Sequence, residues 1–306
     1  MKNNLVSILD FEADTINEIF LKTRELKKMD SCRDHSPLKG KTLGMIFKKS
    51  STRTRISFEV GMYQLGGKAL FLDHKDLHWQ KGEALSEFAK VLSIYLDGIV
   101  IRTFSHQEII DLAKIATIPV VNGLSDLLHP CQILADIFTL KEHVDDLKKI
   151  KIVYIGDANN VANSWLNGAA RLGLDLRIVF PEAYPPDPII LKNAQTEIAR
   201  SGGKIELSNN PQNGVLGADV IYTDVWISMG QDADAPKKKE LLKPFQLNEK
   251  LARQSGKDPF VMHCLPAHCG EEITSEMMNS PKSIIYKQVE NRLHVQKAIL
   301  EFLLTS

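Results

Sequence analysis

The run KKSSTRTR, Lys48 to Arg55, sets two lysines, four hydroxyl residues and two arginines directly after the apolar run KTLGMIF. So dense a set of donors suits a phosphoryl group. Ser50, Ser51 and Thr52 are N-cap candidates for the helical pattern that follows, and a helix start exposes unpaired N–H groups at the positive end of its dipole. Arg53 and Arg55 add forked, permanently charged donors. The plainer alternative is a Ser/Thr cap followed by solvated arginines, with Arg55 and Glu59 as an i,i+4 ion pair. The run is not a P-loop, because it lacks the leading glycine and the GK[ST] ending.

Four other stretches carry groups of the same chemical kind. GIVIRTF places Arg102 near the carboxyl end of an apolar strand, and LLHPCQILAD supplies His129 and Gln132 at an i,i+3 spacing around Pro130 and Cys131. His129 alone reads as a cap histidine beside a proline. GDANN puts Asn160 just after a strand, where it can cap a helix or meet an amino-acid head group; the GxGxxG glycines of a dinucleotide site are missing. HCLPAHC offers His263, Cys264, His268 and Cys269. Its spacing is not one of the usual zinc patterns, and neighbouring residues on a strand point to opposite faces, so no metal is expected there. Cys264 alone would read as a small apolar residue at a strand end.

The elements that must hold these groups alternate along the chain. Buried parallel strands are expected at 41–47, 68–73, 98–103 and 118–123, with helical spacing over 53–65, 84–95 and 106–116. A second series follows at 151–156, 175–180, 204–209, 219–224 and 259–264. Strands separated by helix-length segments imply βαβ units, hence an α/β protein of two doubly wound parallel-sheet domains, 1–144 and 145–306. The stretch 130–144 is expected to bridge them. PPDP (185–188) and 228–240 read as loops by their proline and charge content. The last helix, about 290–304, has Leu293, Ala298, Leu300 and Leu303 as core candidates and is expected to cross back to the N-terminal domain.

With 306 residues the chain can bury two cores, and its 38 basic and 38 acidic side chains cancel. That balance argues against a general nucleic-acid binder, so any anion site must be local. No apolar run reaches the roughly 18–20 residues of a membrane span. Acidic residues near the N-terminus fit no targeting leader, and four cysteines suggest no disulfide framework. A cytoplasmic location is the resulting expectation.

STRTR at 51–55, HPCQ at 129–132 and HCLP at 263–266, in this order, resemble the carbamoyltransferases, and DVWISMG at 224–230 is similar to the ornithine branch. The resemblance covers essentially the whole chain. It implies transfer of the carbamoyl group of carbamoyl phosphate to the δ-amine of L-ornithine, giving L-citrulline and phosphate in arginine metabolism, with no cofactor. It implies carbamoyl-phosphate contacts by Ser51, Thr52, Arg53, Thr54, Arg102, His129, Pro130, Cys131, Gln132, Cys264, Leu265 and Arg292. Ornithine contacts are implied for Asn160, Asp224, Ser228 and Met229, with Cys264, Asp224 and Arg102 taking the catalytic roles. His78 stands where relatives carry a glutamine that reaches a neighbouring subunit's ligand, which would make the active unit a ring, normally a trimer. The loop 228–240 is expected to close over ornithine. Another amine acceptor, putrescine or an N-acylornithine, is the alternative.

Overall fold

A computed structural model describes residues 3–29, 35–73, 77, 82–228 and 235–305. The chain forms two compact units, Met1–Phe138 with Glu290–Ser306, and Thr139–Val289. It leaves the first unit inside one helix and returns inside the last.

The first unit holds four parallel strands, β1 (Thr42–Phe47), β2 (Lys68–Asp73), β3 (Gly98–Arg102) and β4 (Val120–Leu124), in the order β2-β1-β3-β4. Its helices are α1 (Ala13–Lys28), α2 (Thr52–Gln64), α3 (Leu85–Tyr95), α4 (His106–Ile115) and α5 (Pro130–Lys141), the last of which runs across the boundary. The central strands β1 and β3 are near-continuous apolar runs because they are covered on both faces, whereas the edge strand β2 is partly exposed. β3 is buried at every residue. Residues Ile46, Ile99 and Ile101 pack with Ile109 and Leu112 of α4.

In the second unit the strands β5 (Lys151–Ile155), β6 (Asp175–Val179), β7 (Lys204–Ser208), β8 (Val220–Thr223) and β9 (Phe260–His263) take the order β7-β6-β5-β8-β9. Its helices are α6 (Asn160–Leu172), α7 (Pro188–Ser201), α8 (Pro211–Gly214), α9 (Ala235–Leu242), α10 (Glu249–Arg253) and α11 (Ser275–Met278). Trp165 of α6 meets Tyr222 of β8 edge-on, and Tyr154 of β5 stacks on the same tyrosine. The closing helix α12 (Ile285–Thr305) starts in this unit and runs into the first, where Ala298, Leu300 and Leu303 are buried.

Each sheet has one point where successive connections depart in opposite directions, between β1 and β3 in the first and between β5 and β8 in the second. Ligand sites of open α/β sheets lie beyond the carboxyl strand ends at such points.

Two loops expected from the sequence are partly helical. Pro188 opens α7, with Asp187 accepting from the N–H groups of Ile189 and Ile190. Residues 235–240 belong to α9, where Pro236 sits in the first turn, a position that needs no donor, ahead of good helix formers. Of the expected loop, 229–234 lies outside the described residues. Among the described residues no helix is long and apolar enough to cross a membrane.

Candidate active site

At the switch point of the first sheet, β1 runs through Lys48–Ser50 into α2. Ser51 is the N-cap, its hydroxyl accepting from the Thr54 N–H at 3.2 Å. Thr52 and Arg53 begin the helix, and Thr54, fully buried, turns inward. Arg55 takes the plainer role, pairing with Glu59 at 3.5 Å and lying 3.8 Å over the Phe71 ring. Arg102 ends β3, and His129 stands immediately before α5.

These strand ends bring together a connected set of donors. The Thr54 hydroxyl accepts from Arg292 Nη2 at 2.6 Å and from Arg102 Nη1 at 3.4 Å. Arg292 Nη1 donates to Gln132 Oε1 at 2.7 Å, and Gln132 Nε2 donates to buried Asp136 at 2.9 Å. Arg102, His129, Gln132 and Arg292 are each at most 6% exposed. Burying guanidinium groups is costly unless an anion or good acceptors meet them. Burial, reinforced by Arg292, Arg102 and Arg53, drives the pKa of His129 well below the ordinary imidazole range. It is therefore a neutral ring beside three fixed cations.

Cys131 does not face this cluster with its side chain. Its thiol donates to the Asn122 carbonyl at 3.6 Å, and burial pushes its pKa up to about 12, so it remains a thiol. Only the backbone of Cys131, like that of Pro130 beside it, is left for a ligand.

In the second unit the groups gather at the ends of β5, β8 and β9. Gly156 closes β5 with a φ of 130°, a conformation open to glycine and hardly to other residues. The following turn makes Asn159 the N-cap of α6, its Oδ1 accepting from Val161 at 2.8 Å and Ala162 at 3.4 Å. Its Nδ2 donates to Asp224 Oδ2 at 2.7 Å. The other carboxylate oxygen of Asp224 accepts from the Cys264 thiol at 2.8 Å. Asn160 is the first residue of α6 and is half-buried, while Ser228 lies farther along the stretch after β8. His78 and Met229 lie outside the described residues.

Cys264 and Leu265 form a sharp corner after β9. Leu265 has a φ of 59°, uncommon for a residue with a side chain and a kind of strain found at functional sites, and a cis bond joins it to Pro266. The corner is held from behind: the Leu265 N–H donates to His263 Nδ1 at 2.8 Å, so the ring carries its proton on Nε2 and donates to Glu272 Oε1 at 3.1 Å. Glu272 also accepts from the His268 N–H at 2.6 Å.

Asp224, His263 and Cys264 have ligand atoms close enough together to surround an ion, as do His268, Glu271 and Glu272. Both His263 nitrogens are already committed, and Glu271 is paired with Lys239 at 2.5 Å. These atoms serve the protein's own hydrogen bonds.

Sequence reasoning missed Asn159, Glu272 and the buried Asp157–Lys238 pair. An N-cap signal after β5 marks Asn159, but nothing local distinguishes a cap that also orients Asp224. Glu272 meets His263 only through the turn that follows β9, and Asp157 and Lys238 stand 81 positions apart.

Comparison with known proteins agrees with this geometry. Residues 3–142 match the aspartate/ornithine carbamoyltransferase carbamoyl-P binding domain, and residues 148–303 match the Asp/Orn binding domain. The chain belongs to the aspartate/ornithine carbamoyltransferase family. Ornithine carbamoyltransferase of Syntrophus aciditrophicus is 55% identical over 305 residues, covering 99% of this chain and 100% of that one. The structure of the Pyrococcus furiosus ornithine carbamoyltransferase superposes with a TM-score of 0.93 at 47% identity, covering 97% and 96% of the two chains. The anabolic enzyme from Campylobacter jejuni gives 0.91 at 37% identity, with 99% of each chain covered.

Proposed function

We propose that this chain catalyses ornithine carbamoyl transfer: carbamoyl phosphate and L-ornithine give L-citrulline and phosphate. The observation that carries the reading is the buried donor set of Arg102, Thr54, Arg292 and Gln132 beside a neutral His129.

The first part of the chain, 1–144, takes carbamoyl phosphate together with Arg292 of the last helix. The α2 start, with Ser51, Thr52 and Arg53, receives the phosphoryl oxygens, and Arg102 neutralises charge as phosphate departs. Thr54, Arg102, His129, Gln132 and Arg292 polarise the carbamoyl carbonyl and hold the oxyanion of the tetrahedral intermediate. Pro130 and Cys131 contribute backbone, and the family resemblance adds Cys264 and Leu265 to the residues that meet carbamoyl phosphate. No metal is needed for this step.

The second part, 145–306, takes ornithine. Its δ-amine attacks only when neutral, and an alkyl ammonium has a pKa of about 10.4, so near pH 7.4 deprotonation costs about 4 kcal/mol. Asp224 and Cys264 face that demand. In the hydrogen bond they form, the thiol proton already rests against the carboxylate. As the ammonium gives a proton to Sγ, the thiol proton passes to Asp224 Oδ1, and the freed lone pair attacks the carbonyl carbon. The C–O bond to phosphate then breaks, and the departing phosphate takes the surplus proton from the attacking nitrogen, leaving the uncharged ureido group. Asn160, Ser228 and Met229 hold the amino-acid head.

A homotrimer fits the exposed Ile56 and Tyr63 of α2 and Val91, Ile94 and Tyr95 of α3, which a subunit contact would cover. In such a ring the family resemblance gives His78 the contact to a neighbour's ligand. Cys131, Cys264 and Cys269 are thiols outside any disulfide, which fits the reducing cytoplasm.

The deciding assay offers ornithine, putrescine, aspartate and N-acetylornithine in parallel with carbamoyl phosphate. Ornithine should be the acceptor used. Preference for another amine overturns the assignment, and active monomers in sedimentation overturn the trimer.

A further inference from the structure

Behind Asp224 lies an ion pair that the reaction as described does not use. Lys238 of α9 donates to Asp157 Oδ2 at 2.7 Å, with side chains only 8% and 7% exposed. The ammonium also lies 4.9 Å above the Tyr184 ring. Asp157 belongs to the turn between β5 and α6, where its carbonyl accepts from the Asn159 N–H at 2.8 Å and from the Tyr154 hydroxyl at 2.8 Å. Asn159, fixed by that turn, presents Nδ2 to Asp224.

Resting on the acceptor site proposed above, we propose that Lys238 is a positioning residue: through Asp157 and Asn159 it aims the Asp224 carboxylate at the substrate amine. Two observations favour this over a packing role. Taking an ammonium and a carboxylate out of water is expensive, and a well-packed apolar pair often holds a helix as well or better. The pair is also linked through the 157–159 turn to Asp224, which accepts from the Cys264 thiol, and Lys238 follows Ser228 by ten residues in the chain.

The charged and titratable groups facing Asp157 are Lys238 from α9, Asp224 from beyond β8 and Tyr154 from β5, with Cys264 and Glu272 acting on the same tyrosine. Burial raises Asp157 to about 6, against the pull of Lys238 and with a push from Asp224. Protonation of Asp157 releases the lysine and loosens the turn.

The test uses the full chain with K238M and D157N in steady-state citrulline assays and direct carbamoyl-phosphate binding. K238M should lower kcat/KM for ornithine by about 10- to 100-fold, the scale of a misplacement near 1 Å, with the Kd for carbamoyl phosphate unchanged. In the wild type, log kcat/KM for ornithine should fall with slope one below about pH 6 as Asp157 takes up a proton, since the substrate ammonium gives up its own proton within the site. D157N keeps an acceptor oxygen for Lys238 but cannot titrate, so this fall should be absent. Wild-type kcat/KM in K238M, equal weakening of carbamoyl-phosphate binding, or the wild-type slope in D157N each overturns the proposal. Should K238M fail to fold, the D157N slope decides alone. A wild type that makes no citrulline refutes the function, whereas an active wild type with unmoved variants refutes only this role.

Discussion

Replacing Thr54 by valine tests the donor cluster at its centre. The two side chains have nearly the same shape, so the change removes a hydroxyl and leaves the packing of a fully buried position intact. That oxygen accepts from both Arg292 and Arg102, which fills its two lone pairs and leaves its own proton to donate to a ligand. The 3.4 Å contact from Arg102 is long and contributes little, whereas the 2.6 Å contact from Arg292 is short and charge-assisted. A hydrogen bond to a charged group is worth about 1.5–3 kcal/mol, or about 10- to 150-fold in Kd at about 1.4 kcal/mol per decade. Calorimetric titration of carbamoyl phosphate into T54V should show a loss in that range. T54S, which keeps the oxygen, should bind close to wild type, and the KM for ornithine at saturating carbamoyl phosphate should not move. A folded T54V that binds carbamoyl phosphate as tightly as the wild type would refute the idea that one hydroxyl organises the two guanidiniums.

Asp224→Asn should reduce kcat by about 10²- to 10⁴-fold, the usual worth of a positioned proton acceptor, without weakening carbamoyl-phosphate binding; a variant with normal turnover removes Asp224 from the proton path. His129, its pKa held well below the usual 6.5 by burial and three arginines, stays neutral from pH 6.5 to 8, so its donor pattern is constant there. H129Q should accordingly alter the Kd for carbamoyl phosphate by the same factor at both ends of that interval, and a ratio that changes with pH contradicts a neutral ring. Glu206 is held down to about 2, first by the hydrogen bond from Lys204 and then by Arg177. A depressed carboxylate pKa contributes stability that is complete above its ordinary value of 4.5 and is lost as pH falls toward 2. E206Q should lower Tm at neutral pH and flatten its decline across that acid interval, and parallel Tm curves for the two proteins would contradict the pairing.

Much of this architecture was legible in the chain itself. Among the described residues the nine expected strands lie within a residue or two of their places, because polar turns punctuate them and the central ones, covered on both faces, are largely apolar; the edge strands β2 and β7 are partly exposed. KKSSTRTR announced a helix start rich in donors, and Ser51 is its cap. Arg102 and His129 could be placed at strand ends from local pattern alone, as could Cys264. The loop expected at 228–240 fared less well, since proline and charge are as compatible with the first turn of α9 as with irregular backbone.

Local pattern stops where the site depends on partners distant in sequence. Arg292 joins Gln132 and Thr54 across 160 and 238 positions, and a helix-borne arginine looks the same whether it faces water or a buried hydroxyl. Asn159 and Asn160 are adjacent amides, yet only the fold shows that Asn159 reaches Asp224 while capping α6. Lys238 reads as one of three consecutive lysines until burial singles it out against Asp157. Residue type and period specify which groups are present and which faces are buried. Which groups meet is set by the crossover order of the strands, because only folding brings separate strand ends to one edge of a sheet.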